Sequence, residues 1–207
     1  MKKITVGRFI DPLTDFGFKR LFGSEPSKDL LIDFLNHALR GRKQVADLSY
    51  NKNEEAGYIK ESRKCIFDLR CTGPTGEQFI IEVQKVEQQY FVDRAIYYTS
   101  ALIHEQGPKG GPDWDYKLPE VYMIGIMDFA FDTARTDKYI HDVALMDRDD
   151  SSLFYNKLGY TFIEIPKFNK PIDQLETELD KWLFTQKSKQ SGKNPCNFEQ
   201  AYFYKIV

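Results

Sequence analysis

The stretch KCIFDLRCTGPTGEQFIIEVQ, residues 64–84, is two runs of strand-forming residues joined by GPTGE, where glycine and proline supply the backbone angles of a turn. Side chains on a strand alternate between its two faces, so parity sorts them. In the first run Cys65, Phe67, Leu69 and Cys71 share one face, and Ile66, Asp68 and Arg70 the other. In the second, Phe79, Ile81 and Val83 oppose Ile80, Glu82 and Gln84. Each run thus has one apolar face and one face that carries its acid. Folded as an antiparallel hairpin about residue 75, the two runs set Asp68 and Glu82 side by side.

Two carboxylates taken out of water together repel each other, so one must keep its proton or a cation must lie between them. A hard divalent ion resolves the conflict. Mg²⁺ favours one or two carboxylates, with waters and substrate phosphate completing its octahedron, and the Val83 carbonyl between Glu82 and Gln84 offers another oxygen. The alternative is that Asp68 and Glu82 are solvent-facing strand residues paired with Arg70 and Lys85.

Outward from the hairpin, FIDPLTDFGFKRLFG (9–23) predicts a short helix starting near Thr14 or Asp15. Leu30, Leu31, Phe34, Leu35, Ala38 and Leu39 recur at helical spacing and predict a helix over about 26–40, stopped by Gly41. A strand is expected at 45–52, and the hairpin strands at 63–72 and 78–85. A long helix over 87–106 ends in the breaker-rich QGPKGGPDWD, and strands follow at 120–129, 141–148 and 160–166. A last helix is expected at 172–185, after Pro171, and KSKQSGKNPCNFEQ reads as a basic polar linker. This order predicts an α/β fold with a central mixed β-sheet flanked by helices.

The 207 residues suffice for one sizeable core. With 29 basic against 31 acidic residues, net charge −2, no basic footprint advertises a passive nucleic-acid coat, though a local positive groove remains open. MKKITVGRFIDPLTD turns polar too soon for a signal peptide and no apolar run approaches 18 residues, so a cytoplasmic protein without membrane contact is expected. Cys65, Cys71 and Cys196 lack metal-ligand spacing and fit core thiols in a reducing compartment. His37, His104 and His141 are scattered, and DRDDSS (147–152) has Ser152 and Leu158 where a calcium loop needs Gly and Glu, so it reads as a hairpin turn.

Asp68, a turn, then Glu82-Val83-Gln84 resembles the PD-(D/E)xK nuclease core, with Gln84 where lysine usually stands. The phrases DPLTDFGFKRLFG, KDLLIDFLN, FDLRC, FIIEVQK, DRAIYYTS, KGGPDWDYKLP, VYMIGIMDF and IPKFNK, in that order, are similar to the PD-(D/E)xK nuclease family transposases, grouped with the recombination-promoting nucleases. The resemblance spans about residues 9–185. It implies a restriction-endonuclease-like core over 1–186, with 187–207 a basic tail and a shortened C-terminal region.

The resemblance further implies a Mg²⁺-dependent DNA endonuclease, with Mn²⁺ as substitute, associated with mobile DNA or recombination; a homodimer is an option. Asp68 and Glu82 would hold the metal, with the Val83 carbonyl. Gln84 would orient the attacking water through its amide, since it can act neither as a base nor as a cation. Lys85 has the charge but sits on the other face of an ideal strand, unless a bulge swings it round. Asp15, four residues before Lys19, is either a solvated ion pair or an outer-shell carboxylate of the metal. Arg94, with Tyr98 on one face of its helix, is a candidate to grip phosphate, and Gln88 a weaker one. The competing readings are a non-catalytic DNA-binding or interaction module on the same fold, kept alive by Gln84, and cleavage of RNA.

Overall fold

The computed structural model describes residues 11–51, 54–55, 65–107, 114–131 and 138–190. In chain order these form α1 (Asp15–Phe22), α2 (Lys28–Ala38), β1 (Ser49–Tyr50), β2 (Glu54–Glu55), β3 (Cys65–Ile66), β4 (Leu69–Thr72), β5 (Gln78–Gln84) and α3 (Phe91–Glu105). Then come β6 (Val121–Met127), β7 (Ile140–Met146), β8 (Leu153–Glu164) and α4 (Glu178–Gln190), with one 3-10 turn before α2 and two between β8 and α4. Six strands make one mixed sheet in the order β1-β4-β5-β6-β8-β7. β5, β6 and β8 run parallel, and β4 and β7 are antiparallel to their neighbours. The expected α/β fold, a central mixed sheet flanked by helices, is therefore present.

Alternation along β5 decides what each layer buries. Phe79, Ile81 and Val83 face a core built with α1, α2 and α4, where Phe22, Phe34 and Trp182 pack ring against ring at 5.4 Å for each Phe34 contact. Ile80 faces the opposite core, covered by α3 through Phe91, Ala95 and Leu102. The α1 start is set locally: the Thr14 hydroxyl caps the helix by accepting from Gly17 N–H at 3.0 Å, and Asp15 opens its first turn.

The hairpin register is Leu69↔Ile81 through Thr72↔Gln78, the register that parity and the turn require. The strand expected over 63–72 is broken, however. β3 pairs with β2 in a separate two-stranded sheet, the chain bends at Asp68, and only Leu69–Thr72 joins the main sheet. The bend also breaks the alternation. Phe67 lies with Ile80 in the α3-side core, edge-on to Tyr98 at 5.1 Å, instead of sharing a face with Leu69 and Cys71. Cys71 is a buried free thiol; Cys196 lies outside the described residues.

Other boundaries shift as well. The helix expected from residue 87 begins at Phe91, and the strand expected at 45–52 shrinks to Ser49–Tyr50. β8 begins at Leu153 rather than 160, because its first half continues a ribbon with β7 beyond the rest of the sheet. The last helix runs over Glu178–Gln190, a 3-10 turn at Ile172–Gln174 taking the place of its expected first turn. Among the described residues no helix is long and apolar enough to cross a membrane.

Candidate active site

The bend between β3 and β4 brings the two acids together. Pairing of β4 with β5 stops at Leu69↔Ile81, and side chains replace the next rungs. Asp68 Oδ2 accepts from Val83 N–H at 2.7 Å, and Glu82 Oε1 accepts from Asp68 N–H at 3.2 Å. Each carboxylate thus ties down the other's strand. A strand residue sends its N–H and C=O to the same edge, so the Val83 carbonyl also faces the side where the ladder has ended.

Glu82 is 2% exposed. Burial pushes its carboxyl up to about 8, the neighbouring Asp68 charge adds to the rise, and Arg94 opposes it. Burial raises Asp68 too, against the pull of the Val83 N–H; Asp15 raises it further, while Lys19 and Arg94 pull it down. Two neighbouring carboxylates taken out of water favour a retained proton or a cation between them.

The resident cation is Arg94. Its Nη2 lies 3.0 Å from Glu82 Oε2, its Nη1 donates to Gln88 Oε1 at 2.6 Å, and the guanidinium sits over the rings of Phe91 and Tyr98 at 5.3 and 5.6 Å. Gly125 makes that placement feasible. It stands beside Glu82 in the sheet, and a Cβ there would meet the Phe91 and Phe162 rings at 2.9–3.0 Å. Phe91 therefore seats against bare backbone, and α3 carries Arg94 over Glu82 one turn later.

The remaining candidates divide. Gln84 shares the face of Glu82 and donates a long 3.4 Å hydrogen bond to Glu82 Oε2. Lys85, past the end of β5, pairs instead with Asp11 at 2.6 Å and is half exposed. Asp15 forms a 2.6 Å pair with Lys19, and its charge raises the Asp68 carboxyl.

The donor set fits a hard divalent ion: two adjoining carboxylates whose mutual repulsion Arg94 and Lys19 offset in part, and a carbonyl on the edge where the ladder ends. Among the described residues no group of three or more His, Cys, Asp or Glu converges as a complete metal centre. Waters and substrate would have to supply the rest.

One cluster was not anticipated. Glu164, fully buried at the end of β8, binds His141 Nε2 at 2.5 Å, Lys167 Nζ at 3.0 Å and the Phe131 N–H at 3.2 Å. It stands level with Gln84, with Met127 of β6 between them. The signal was available, since FIEIPK (162–167) places an acid in an apolar run and a lysine close behind, as FIIEVQK does. With all three groups satisfied by one another, the cluster braces β7 and the segment after β8.

A family model described as PD-(D/E)XK nuclease family transposase matches residues 12–207, nearly the whole chain and beyond the 185 at which the sequence resemblance stops. No curated protein and no solved structure matches.

Proposed function

We propose that this chain, which belongs to the PD-(D/E)XK nuclease family transposases, is a divalent-metal-dependent DNA endonuclease that acts in the cytoplasm on mobile or recombining DNA. One observation carries the reading. The chain breaks its own hairpin at Asp68 to seat two neighbouring carboxylates, one of them buried, at a strand end where the β4–β5 ladder stops short of Val83. A purely structural hairpin would continue the ladder through apolar residues at no electrostatic cost.

Asp68, Glu82 and the Val83 carbonyl would hold Mg²⁺, or Mn²⁺ in its place. The ion, when bound, lowers the pKa of a coordinated water and offsets charge on the phosphate. The protein's own residues then position the reactants. Gln84, beside Glu82, orients the water through its amide but cannot take its proton. Arg94, held between two rings, presents positive charge to the phosphate oxygens. Asp15 acts from the outer shell through its effect on Asp68. Lys85 remains tied to Asp11, away from the chemistry.

Purified protein incubated with supercoiled plasmid, with Mg²⁺, with Mn²⁺ and with EDTA, tests the reading. Nicking or linearisation that needs metal and disappears in Glu82→Gln is the expected result. Absence of cleavage with every divalent ion would favour a non-catalytic DNA-binding module, the reading that Gln84 in the lysine position supports.

A further inference from the structure

A concave feature of the molecule is lined by residues other than the two carboxylates. A cavity of about 740 Å³ opens between the end of α2, the start of β7, the segment after β8 and the start of α4. Its lining includes His37, Arg40, Lys138, Tyr139, Lys170 and Asp180. The charges are unequally spent. Asp180, the one acid, already accepts from Lys170 Nζ at 2.9 Å, from the Tyr139 hydroxyl at 3.2 Å and from the Glu176 and Thr177 N–H groups at 3.2 Å each. Arg40 and Lys138 are exposed and have no ion-pair partner among the described residues. Arg40 is moreover held with φ at +52°, a region non-glycine residues seldom occupy, directly before Gly41 at +80°.

We infer that this cavity binds phosphates of the nucleic-acid substrate at a distance from the bond that is cut; the inference rests on the nuclease reading above. A chain of net charge −2 has here a recess with, among the described residues that line it, two cations outside any ion pair and no acid left unpaired. Arginine matches phosphate with a planar fork, and lysine adds a mobile point charge.

The position suits the same ligand. The Tyr139 carbonyl accepts from Glu164 N–H at 2.8 Å, and Glu164, Met127 and Gln84 stand level across β8, β6 and β5. Three strand spacings put the Tyr139 backbone about 14 Å from that of Gln84 at the same end of the sheet, with the cavity opening on the α2 and α4 side and Glu82 and Gln84 on the α3 side. That is about four 3.4 Å rises along one strand of a duplex. A duplex lying across that end of the sheet would meet the carboxylates from one layer and the cavity from the other.

The test uses the full chain in EDTA, so that binding is read without cleavage. Fluorescence anisotropy with a labelled DNA duplex is followed over a salt series for wild type and for the double variant Arg40→Ala/Lys138→Ala, both exposed positions. Loss of two phosphate contacts should weaken binding and lower the slope of log K against log salt by about 1.8. Lys138→Glu alone should weaken binding further than Lys138→Ala. In Mg²⁺ the double variant should keep its kcat and lose on KM for DNA.

An unchanged slope and affinity in the double variant overturns the inference and leaves the nuclease reading standing. Failure of the wild type to bind DNA at all overturns the inference too, and counts against the nuclease reading. Inorganic phosphate, titrated against labelled protein by NMR, supplies a separate arm. Shifts at Arg40 and Lys138 without any effect of the variant on DNA binding would mean a small-anion site, and the inference fails. Cavity-dependent DNA binding by a protein that cuts nothing would uphold the inference and sink the nuclease reading instead.

Discussion

Glu82→Gln isolates the electrostatic cost of the site. The glutamine keeps the volume of the side chain and the oxygen that accepts from Asp68 N–H, but it cannot ionise. In the wild type without metal, the Glu82 carboxyl is carried from an ordinary 4.5 to about 8 by burial and by Asp68. A raised carboxyl favours the protonated form in the folded state, so its contribution is fully present below about pH 4.5 and is lost as pH rises through 8. Each tenfold change is worth 1.36 kcal/mol, and part of the rise comes from the charge on Asp68, so the loss is roughly 2–5 kcal/mol. Urea denaturation in EDTA should find the two proteins close in stability near pH 5, with the variant ahead by about that amount near pH 9. Mn²⁺ at about 100 times its Kd should return some 2.7 kcal/mol to the wild type and much less to the variant. Parallel pH profiles would refute the reasoning, because they would mean that Glu82 pays no ionisation penalty in the fold.

Gln84→Ala should slow plasmid cleavage about 10–100-fold, the usual cost of losing a partner just outside a metal's ligands, while Lys85→Ala changes it little. Abolition by Lys85→Ala with Gln84→Ala intact would reverse the two roles. Arg94→Ala leaves Glu82 buried without its counterion and should destabilise the metal-free protein by about 3–5 kcal/mol above pH 8, as read by chemical denaturation. The same variant should gain more in Tm from Mn²⁺ than wild type does; equal gains would separate Arg94 from the site. Gly125→Ala forces the Phe91 and Phe162 rings apart, costing about 1–3 kcal/mol in the same denaturation assay. Its cleavage activity should fall with it as α3 lifts Arg94, and a variant of native stability would show that the rings yield freely.

Strand parity and the GPTGE turn were enough to read the register that puts Asp68 against Glu82, because period-two alternation and a short turn leave few ways to pair two strands. The bend at Asp68 was hidden because Phe67 is equally apolar on either face, and nothing local says that β3 will leave for another partner. Arg94 was visible as a helix-surface arginine, but its contact with Glu82 depends on how deeply α3 sits on Gly125, which is a packing fact. Glu164 and His141 come from strands that meet only through tertiary pairing, so no spacing joins them. The early start of β8 was missed because polar Asn156 and Lys157 interrupt its apolar pattern, as befits a ribbon half open to water.

The reciprocal brace at the hairpin's end bears on how any inactive allele of this gene will be interpreted. Asp68 both terminates a ladder and holds a charge, so Asp68→Ala removes the acceptor of Val83 N–H along with the carboxylate. A selection for loss of function would therefore recover mutants whose strand ends have come apart beside mutants in which only the chemistry has failed, and phenotype would not separate them. Asp68→Asn can keep the acceptor while discarding the charge. Comparing the asparagine and alanine alleles side by side would sort scaffold from catalyst at a position where evolution has bound the two into one side chain.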